Sequence, residues 1–316
     1  MKILLFGPNG QVGWELQRAL APLGEVVALD RQGRDGLSGD LTDPDALRDT
    51  IMLFGLEPVV VPDVAGSLDG HVADEWSGAS LGGASVDDLR GLAGCGHVLA
   101  VGGHMRGPAE RLAALTGIEP VLLPHATGLV AADNLIAALT AMSGRPAPGR
   151  LRRDRARLLD AMMDGQFFYG GKRLVACAEP DLLGALVALL DEMGAAVDAV
   201  TTVRTPGLDG LPAGRVVVGD LSDAEALAGE GADALVGPSH LRHAAERYHL
   251  PLFRTGFPQF DRLGAQDQCA LGHAGTRAVV NALGNLLMEA ELAHGDGPVP
   301  PLAREEDHAP APAAAG

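Results

Sequence analysis

Three glycines close to the amino terminus stand at a spacing that could cradle a pyrophosphate. Gly7-Pro8-Asn9-Gly10-Gln11-Val12-Gly13 follows an apolar run, Lys2 to Phe6, and precedes a stretch with helical periodicity. The first glycine permits a tight turn. The others let an anion approach a helix N-terminus, where free N–H groups and the helix dipole favour negative charge. Asp30 closes a second apolar run, Glu25 to Leu29, in place to accept hydrogen bonds from an adenosine ribose, whereas Arg31 beside it could meet a 2′-phosphate. NAD(P) is therefore the cofactor this loop would take. Other reactive side chains are weaker pointers. His240 and His243 are one helical turn apart and could share a metal, with His249 farther on; the strict ligand requirement favours an exposed helix face instead. Asp69 and His71 could act as acid and base, or could make structural loop contacts. Cys95, Cys177 and Cys269 form no C-x-x-C pair and have small or apolar neighbours, which suggests buried thiols. Arg152, Arg153, Arg155 and Arg157 suggest a solvated face, or a contact for an acidic partner. No residue is assigned a catalytic role and none is assigned a metal.

The chain that must position these groups has 316 residues, enough for two or three compact units. Hydrophobic residues make up 47%, so most of it should fold, but aromatics are only 3%, too few for a base-stacking surface. The formal charge of -17 repels nucleic acid and anionic membranes and suits a partner with a basic face. No apolar run is long enough to span a bilayer, and the opening residues form a strand rather than a signal peptide. Cysteine usage fits a reducing compartment, so a cytoplasmic protein is expected.

Strand-like and helix-like runs alternate along the chain. Strands are predicted at Lys2–Phe6 and Glu25–Leu29, with a helix over 11–22 between them and another from Asp43 to about Phe54. A strand at Glu57–Val61 and a loop over Asp63–Gly83 follow. Then come a helix at Val86–Leu92, a strand at His97–Val101, a helix at Pro108–Leu115, a strand at Pro120–Leu123 and a helix at Thr127–Met142. Ser143 to Gly149 reads as a linker. Beyond it, a helix is predicted at Arg150–Met163. Strands are predicted at Arg173–Ala178, Val197–Thr201, Arg215–Val218, Ala234–Val236 and Leu252–Arg254. Helices are predicted at Asp181–Met193, Asp223–Ala228, Leu241–Tyr248 and Thr276–Leu292. From His294 the composition predicts a disordered tail. Gly39 to Leu47 echoes Gly219 to Leu227, a strand-to-helix junction capped by Thr42 or Ser222. The fold class is α/β, with Rossmann-like parallel sheets covered by helices. The units fall at 1–50, 51–149 and 150–293, followed by the tail at 294–316.

Two resemblances refine this. Gly7 to Leu16, Ala28-Leu-Asp-Arg31 and Gly39-Asp-Leu-Thr-Asp-Pro44 resemble the start of dTDP-4-dehydrorhamnose reductase, an extended short-chain dehydrogenase. That likeness implies an NAD(P)-binding βαβ segment over residues 1–50. Its cofactor contacts would be Gly7, Asn9, Gly10, Gln11, Val12, Gly13, Asp30, Arg31, Asp40 and Leu41. The reductase pair Tyr-x-x-x-Lys is absent. Tyr169 and Tyr248 are followed four residues on by Arg173 and Leu252, and the lysines are Lys2 and Lys172.

From about Met52 the sequence resembles the NifN family of nitrogenase iron–molybdenum cofactor biosynthesis proteins. The stretches that carry it include Phe54 to Asp63, Ser67 to His71, Leu81-Gly-Gly83, Pro124-His125, Phe167 to Arg173, Ala178 to Asp181, Gly237-Pro-Ser-His240 and Arg254-Thr-Gly-Phe-Pro-Gln-Phe-Asp-Arg262. The resemblance implies domains of the nitrogenase component 1 type and a scaffold role beside a NifE-like subunit. A precursor of the iron–molybdenum cofactor would be carried at that partner interface. The family's N-terminal domain, with its cluster-binding cysteine, is expected to be replaced here by the reductase-like segment, since no cysteine precedes Cys95. Phe257 to Arg262 is expected to form an ordered loop in the subunit contact. The expectation is a scaffold subunit without turnover of its own. The alternatives are an NAD(P)-dependent oxidoreductase and a non-functional hybrid of the two.

Overall fold

The structure, a computed structural model, describes residues 2–6, 25–29, 44–61, 84–265 and 268–294. Strands β1 (Lys2–Phe6) and β2 (Glu25–Leu29) pair in parallel, with Lys2 opposite Glu25 and Phe6 opposite Leu29. Gly7, Asn9, Gly10, Gln11, Val12, Gly13, Asp30, Arg31, Asp40 and Leu41 all lie outside the described residues. So do the helix predicted over 11–22, Thr42, Asp69, His71 and residues 295–316.

Helix α1 (Pro44–Met52) starts on a proline, whose missing N–H has no intrahelical partner to lose at that position. The strand predicted at Glu57–Val61 does not form. Pro58 lies inside that run and Pro62 follows it, so ladder donors are lost, and Val59 and Val61 are exposed. Helix α2 (Val86–Gly91) is closed by a capping box between Ser85 and Asp88. Strand β3 (Val98–Val101), helix α3 (Arg106–Thr116) and strand β4 (Pro120–Leu123) make a parallel unit, with Val98 opposite Pro120 and Val101 opposite Leu123. Helix α4 (Leu129–Ser143) buries Ala131, Ala132, Leu135 and Leu139, and its leucines pack with Phe54, Leu123 and Leu271.

Helix α5 (Gly149–Tyr169) runs six residues past its predicted end at Met163. Tertiary contact explains the extension. Tyr169 is fully buried and donates its hydroxyl to the Val280 carbonyl at 2.7 Å. Strand β5 (Arg173–Cys177), helix α6 (Pro180–Glu192), β6 (Ala196–Thr201), β7 (Arg215–Val218), helix α7 (Leu221–Gly229), β8 (Ala234–Gly237), helix α8 (Arg242–Tyr248), β9 (Leu252–Arg254) and helix α9 (Gly272–His294) follow among the described residues. Helix α7 is capped by Asp220, not by Ser222. The Asp220 carboxylate accepts from the Ser222 N–H, and Asp223 reaches back to the Asp220 N–H, so the serine contributes only its backbone.

The five strands form one parallel sheet in the order β7-β6-β5-β8-β9. Strands β5, β6 and β8 are buried along nearly their whole length, as parallel strands covered on both faces must be. One face packs Leu174, Ala176, Leu186, Leu190 and Val236 with Val280 and Leu283 of α9; the other packs Val175, Leu227, Leu235 and Leu241. Asp198 is a buried carboxylate within this sheet, paired with Arg173 and Arg215 from the neighbouring strands. The Arg215 hydrogen bonds, then those of Arg173, hold it below the usual carboxylate range. Asp133 plays the same part between helices. It takes a forked contact from Arg155 at 2.8 to 3.0 Å and a 2.8 Å bond from buried His273, so α4, α5 and α9 share one carboxylate. One arginine of the predicted solvated face is thus a bridge between helices.

Candidate functional site

In an open parallel sheet, ligands bind beyond the carboxyl ends of the strands where the strand order reverses direction. Here that point lies between β5 and β8. The two strand ends touch. A Cβ placed on Gly237, the last residue of β8, would sit 2.4 Å from the Cys177 carbonyl oxygen at the end of β5, so only glycine fits.

Two chains of contacts leave this point. Beyond β5, Glu179 precedes α6 and Asp181 lies in its first turn, where a negative side chain suits the helix dipole. The Asp181 carboxylate accepts the Gly103 N–H at 3.0 Å and is bonded to His104 Nδ1. Both partners belong to the tight turn Gly103–Met105 that follows β3. The carboxyl ends of the smaller and larger sheets therefore meet across one aspartate. At the other end of α6, the N-terminus of α4 is capped. Glu192 accepts from the Leu129 N–H at 2.7 Å and the Val130 N–H at 3.0 Å.

Beyond β8, the turn Ser239–Leu241 buries Ser239 completely. Its N–H donates to the Pro258 carbonyl at 3.1 Å, its hydroxyl donates to Asp261, and its oxygen accepts from the Phe260 N–H at 3.1 Å. Arg254, the last residue of β9, grips Asp261 with Nε and Nη2 at 2.8 to 3.0 Å. The Arg254 guanidinium, aided by Ser239, holds the Asp261 carboxyl well below the usual range. Phe257 to Arg262 is thus an ordered loop, with a cis bond before Pro258.

The cysteines and histidines singled out from the sequence do not come together as a metal site among the described residues. Burial, with Glu179 adding to it, pushes the Cys177 thiol up to about 11, so it stays protonated and unreactive at neutral pH. Cys95 and Cys269 are half-buried rather than buried, and no cysteine is in a disulfide. His240 and His243 are exposed, and His240 packs edge-on against the Phe260 ring at 5.1 Å. Among the described residues, no three His, Cys, Asp or Glu side chains lie together in a way that could hold a metal ion. His125 is one group that the sequence did not single out by its chemistry. Its Nδ1 donates to the Thr127 carbonyl at 2.9 Å, and burial lowers its pKa, so Nε2 keeps its lone pair. The edge does have hydrogen-bonding capacity to spare. Among the described residues, the buried oxygens of Thr201, at the end of β6, and Gln259, in the loop after β9, have no protein partner. Within the sequence, the resemblance of Arg254 to Arg262 to the NifN family was the visible signal for the loop. The Asp181–His104 contact bridges 77 residues and had none.

Parallel strands that alternate with helices, in a larger sheet covered on both faces, place the protein in the α/β class. The chain belongs to the family described as nitrogenase component 1 type oxidoreductase, whose model matches residues 13–288. It is 41% identical over 273 residues to the nitrogenase iron–molybdenum cofactor biosynthesis protein NifN of Mesorhizobium japonicum, covering 86% of this chain and 59% of that protein. With the NifN of Rhizobium meliloti it shares 40% identity over 284 residues, 87% of this chain and 64% of the relative. The chain therefore spans about three-fifths of the length of these relatives. A solved structure titled "Nitrogenase Cp1 at pH 6.5" superposes with a TM-score of 0.76 at 21% identity, over 91% of this chain and 75% of that one, and so shares the fold. The likeness of residues 1–50 to dTDP-4-dehydrorhamnose reductase gains no support. The nitrogenase-type match begins at residue 13, inside that segment, so the junction of two families expected near residue 50 is not seen. NAD(P) binding and the reductase alternative gain none either. No helix among the described residues is long and apolar enough to cross a membrane.

Proposed function

We propose that this chain is a NifN-type scaffold subunit of nitrogenase iron–molybdenum cofactor biosynthesis. It pairs with a NifE-like subunit, and a precursor of the cofactor is cargo at the shared interface. The observation that carries this reading is identity of about two residues in five with NifN proteins over most of the chain. The role requires no turnover by this chain.

The described side chains do not fit a cluster-binding set of their own, because no metal-ligating group of three exists among them and the Cys177 thiol is protonated. This chain contributes shape and hydrogen bonds at the carboxyl edge of its larger sheet. The test is co-expression with a NifE-like subunit, affinity purification through this chain and iron analysis, with NADPH titration in parallel. The expected result is co-elution of the two subunits with iron. Hydride transfer from tightly bound NADPH by a chain that retains no partner would overturn the reading.

A further inference from the structure

Helix α5 carries a row of side chains that the described residues leave uncovered. Arg153, Asp160, Met163 and Phe167 recur at intervals of seven, three and four residues, which sets them along one side of the helix. All four are exposed, Met163 by 71% and Phe167 by 86%. A single exposed apolar residue is ordinary. Here two adjoin along the row, which is apolar at its carboxyl end and charged toward its amino end. Among the described residues, Arg153 and Asp160 are in no ion pair, and Arg157 lies 3.8 Å from Asp154.

The chain leaves α9 beside the apolar end of this row. Helices α5 and α9 lie alongside each other in the same direction. Arg155 and His273 share Asp133, the Tyr169 hydroxyl meets the Val280 carbonyl, and Lys172, just beyond α5, pairs with Glu291 at 2.7 Å. Helix α9 ends at His294. The sequence that follows has Gly295 and Gly297, which permit a reversal, and then Pro298-Val-Pro-Pro-Leu-Ala-Arg-Glu-Glu-Asp307. Taken antiparallel to α5, this run matches the row by type. Val299 and Leu302 answer Phe167 and Met163, Arg304 answers Asp160, and Glu305 and Glu306 answer Arg157 and Arg153. The lengths agree as well. Phe167 to Arg153 covers about 21 Å at the helical rise of about 1.5 Å per residue. Val299 to Glu306 covers about 22 Å at the rise of about 3.1 Å per residue that a proline-rich run favours. A second copy fits less well. Laid antiparallel on the same row it sets Arg153 against Phe167, and laid parallel it sets arginine against arginine.

We propose that residues 298–307 of this chain fold back along the outer face of α5 as a strap. Val299 and Leu302 cover Phe167 and Met163, Arg304 lies beside Asp160, and Glu305 and Glu306 meet Arg157 and Arg153. The strap shields the apolar end of the row and does not depend on the pairing with a NifE-like subunit. The test is the rate of disulfide formation in the full chain carrying Asp160→Cys and Arg304→Cys, with the bond mapped by mass spectrometry. These positions leave both apolar anchors in place. The expected bond joins the two new cysteines within one chain. Adding Phe167→Ser with Leu302→Ser should slow it on the order of tenfold, because the segment is then tethered but not docked. Arg153→Glu with Arg157→Glu should slow it too, more at low salt than at high, and adding Glu305→Arg with Glu306→Arg should restore the rate. Rates within twofold of one another in all these chains would overturn the proposal, since reach alone would then make the bond. A bond found only between chains assigns the face to a second copy, and overturns it as well. So does Phe167→Ser if it abolishes binding of a NifE-like subunit and leaves the disulfide rate unchanged, which gives the face to that partner.

Discussion

Replacing Glu192 with alanine removes a cap that one helix supplies to another. Helix α4 begins after Gly128, which has no side chain to satisfy the first-turn N–H groups. Glu192, at the end of α6, does so instead, with one oxygen on each of Leu129 and Val130. A hydrogen bond to a charged group contributes about 1.5–3 kcal/mol. Val130 is exposed, so water replaces its bond at little cost, and only the half-buried Leu129 bond counts in full. Loss of the charge at the helix N-terminus adds about 0.5 kcal/mol. The total for Glu192→Ala is about 2–3.5 kcal/mol. Glu192→Gln, which keeps one acceptor without the charge, should cost about 1 kcal/mol. At about 2–4 °C per kcal/mol for a chain of this size, the alanine variant should melt about 4–14 °C below the parent and the glutamine variant about 2–4 °C below. Differential scanning calorimetry at neutral pH reads both. An alanine variant within 1 °C of the parent, or a glutamine variant as unstable as the alanine one, would refute the capping argument.

Three further outcomes are expected. Gly237→Ala should lower the urea midpoint by an equivalent of about 1–3 kcal/mol, because its methyl would sit 2.4 Å from the Cys177 oxygen and 2.7 Å from Leu241; an unchanged midpoint would show that β5 and β8 are farther apart than described. The Cys177 thiol should resist alkylation through pH 9 in the folded chain and react only as pH nears about 11. Because its folded value lies above the unfolded one, its contribution to stability is complete below the unfolded value and is lost as pH climbs through about 11; rapid alkylation at pH 8 without unfolding would contradict this. His125 should titrate below an exposed histidine in nitrogen NMR spectra, since burial opposes its charge more than the Thr127 bond and Glu192 favour it. Its folded value is lowered, so its contribution to stability is present above about pH 6.5 and declines as pH falls through the folded value; a midpoint at or above that of a model histidine would sink this account.

Much of the architecture was legible because parallel strands buried on both faces read as apolar runs. The Arg215–Val218 and Leu252–Arg254 strands lie where the runs placed them. The misses have local causes. Val59 to Val61 had strand composition, but the flanking prolines removed the donors that a ladder needs. Helix α5 outran its periodicity because Tyr169 found a partner 111 residues away. The cap of α7 fell to Asp220, whose carboxylate accepts a backbone N–H more strongly than a hydroxyl does. The Gly256 to Arg262 run stood out by its family resemblance, while its anchoring by Ser239, 21 to 22 positions away, had no local signal. The contacts of Asp181 and Glu192 join residues 62 to 78 positions apart, a separation that no local pattern encodes.

The role proposed for this chain is one half of a cofactor-assembly scaffold. The direct measurement is light scattering coupled to size exclusion and iron quantification, on the chain co-expressed with a NifE-like subunit. The expected result is a single species containing both subunits and carrying iron, with neither NADPH binding nor hydride transfer. A chain that elutes alone, while the NifE-like subunit behaves as it does without it, would contradict the claim.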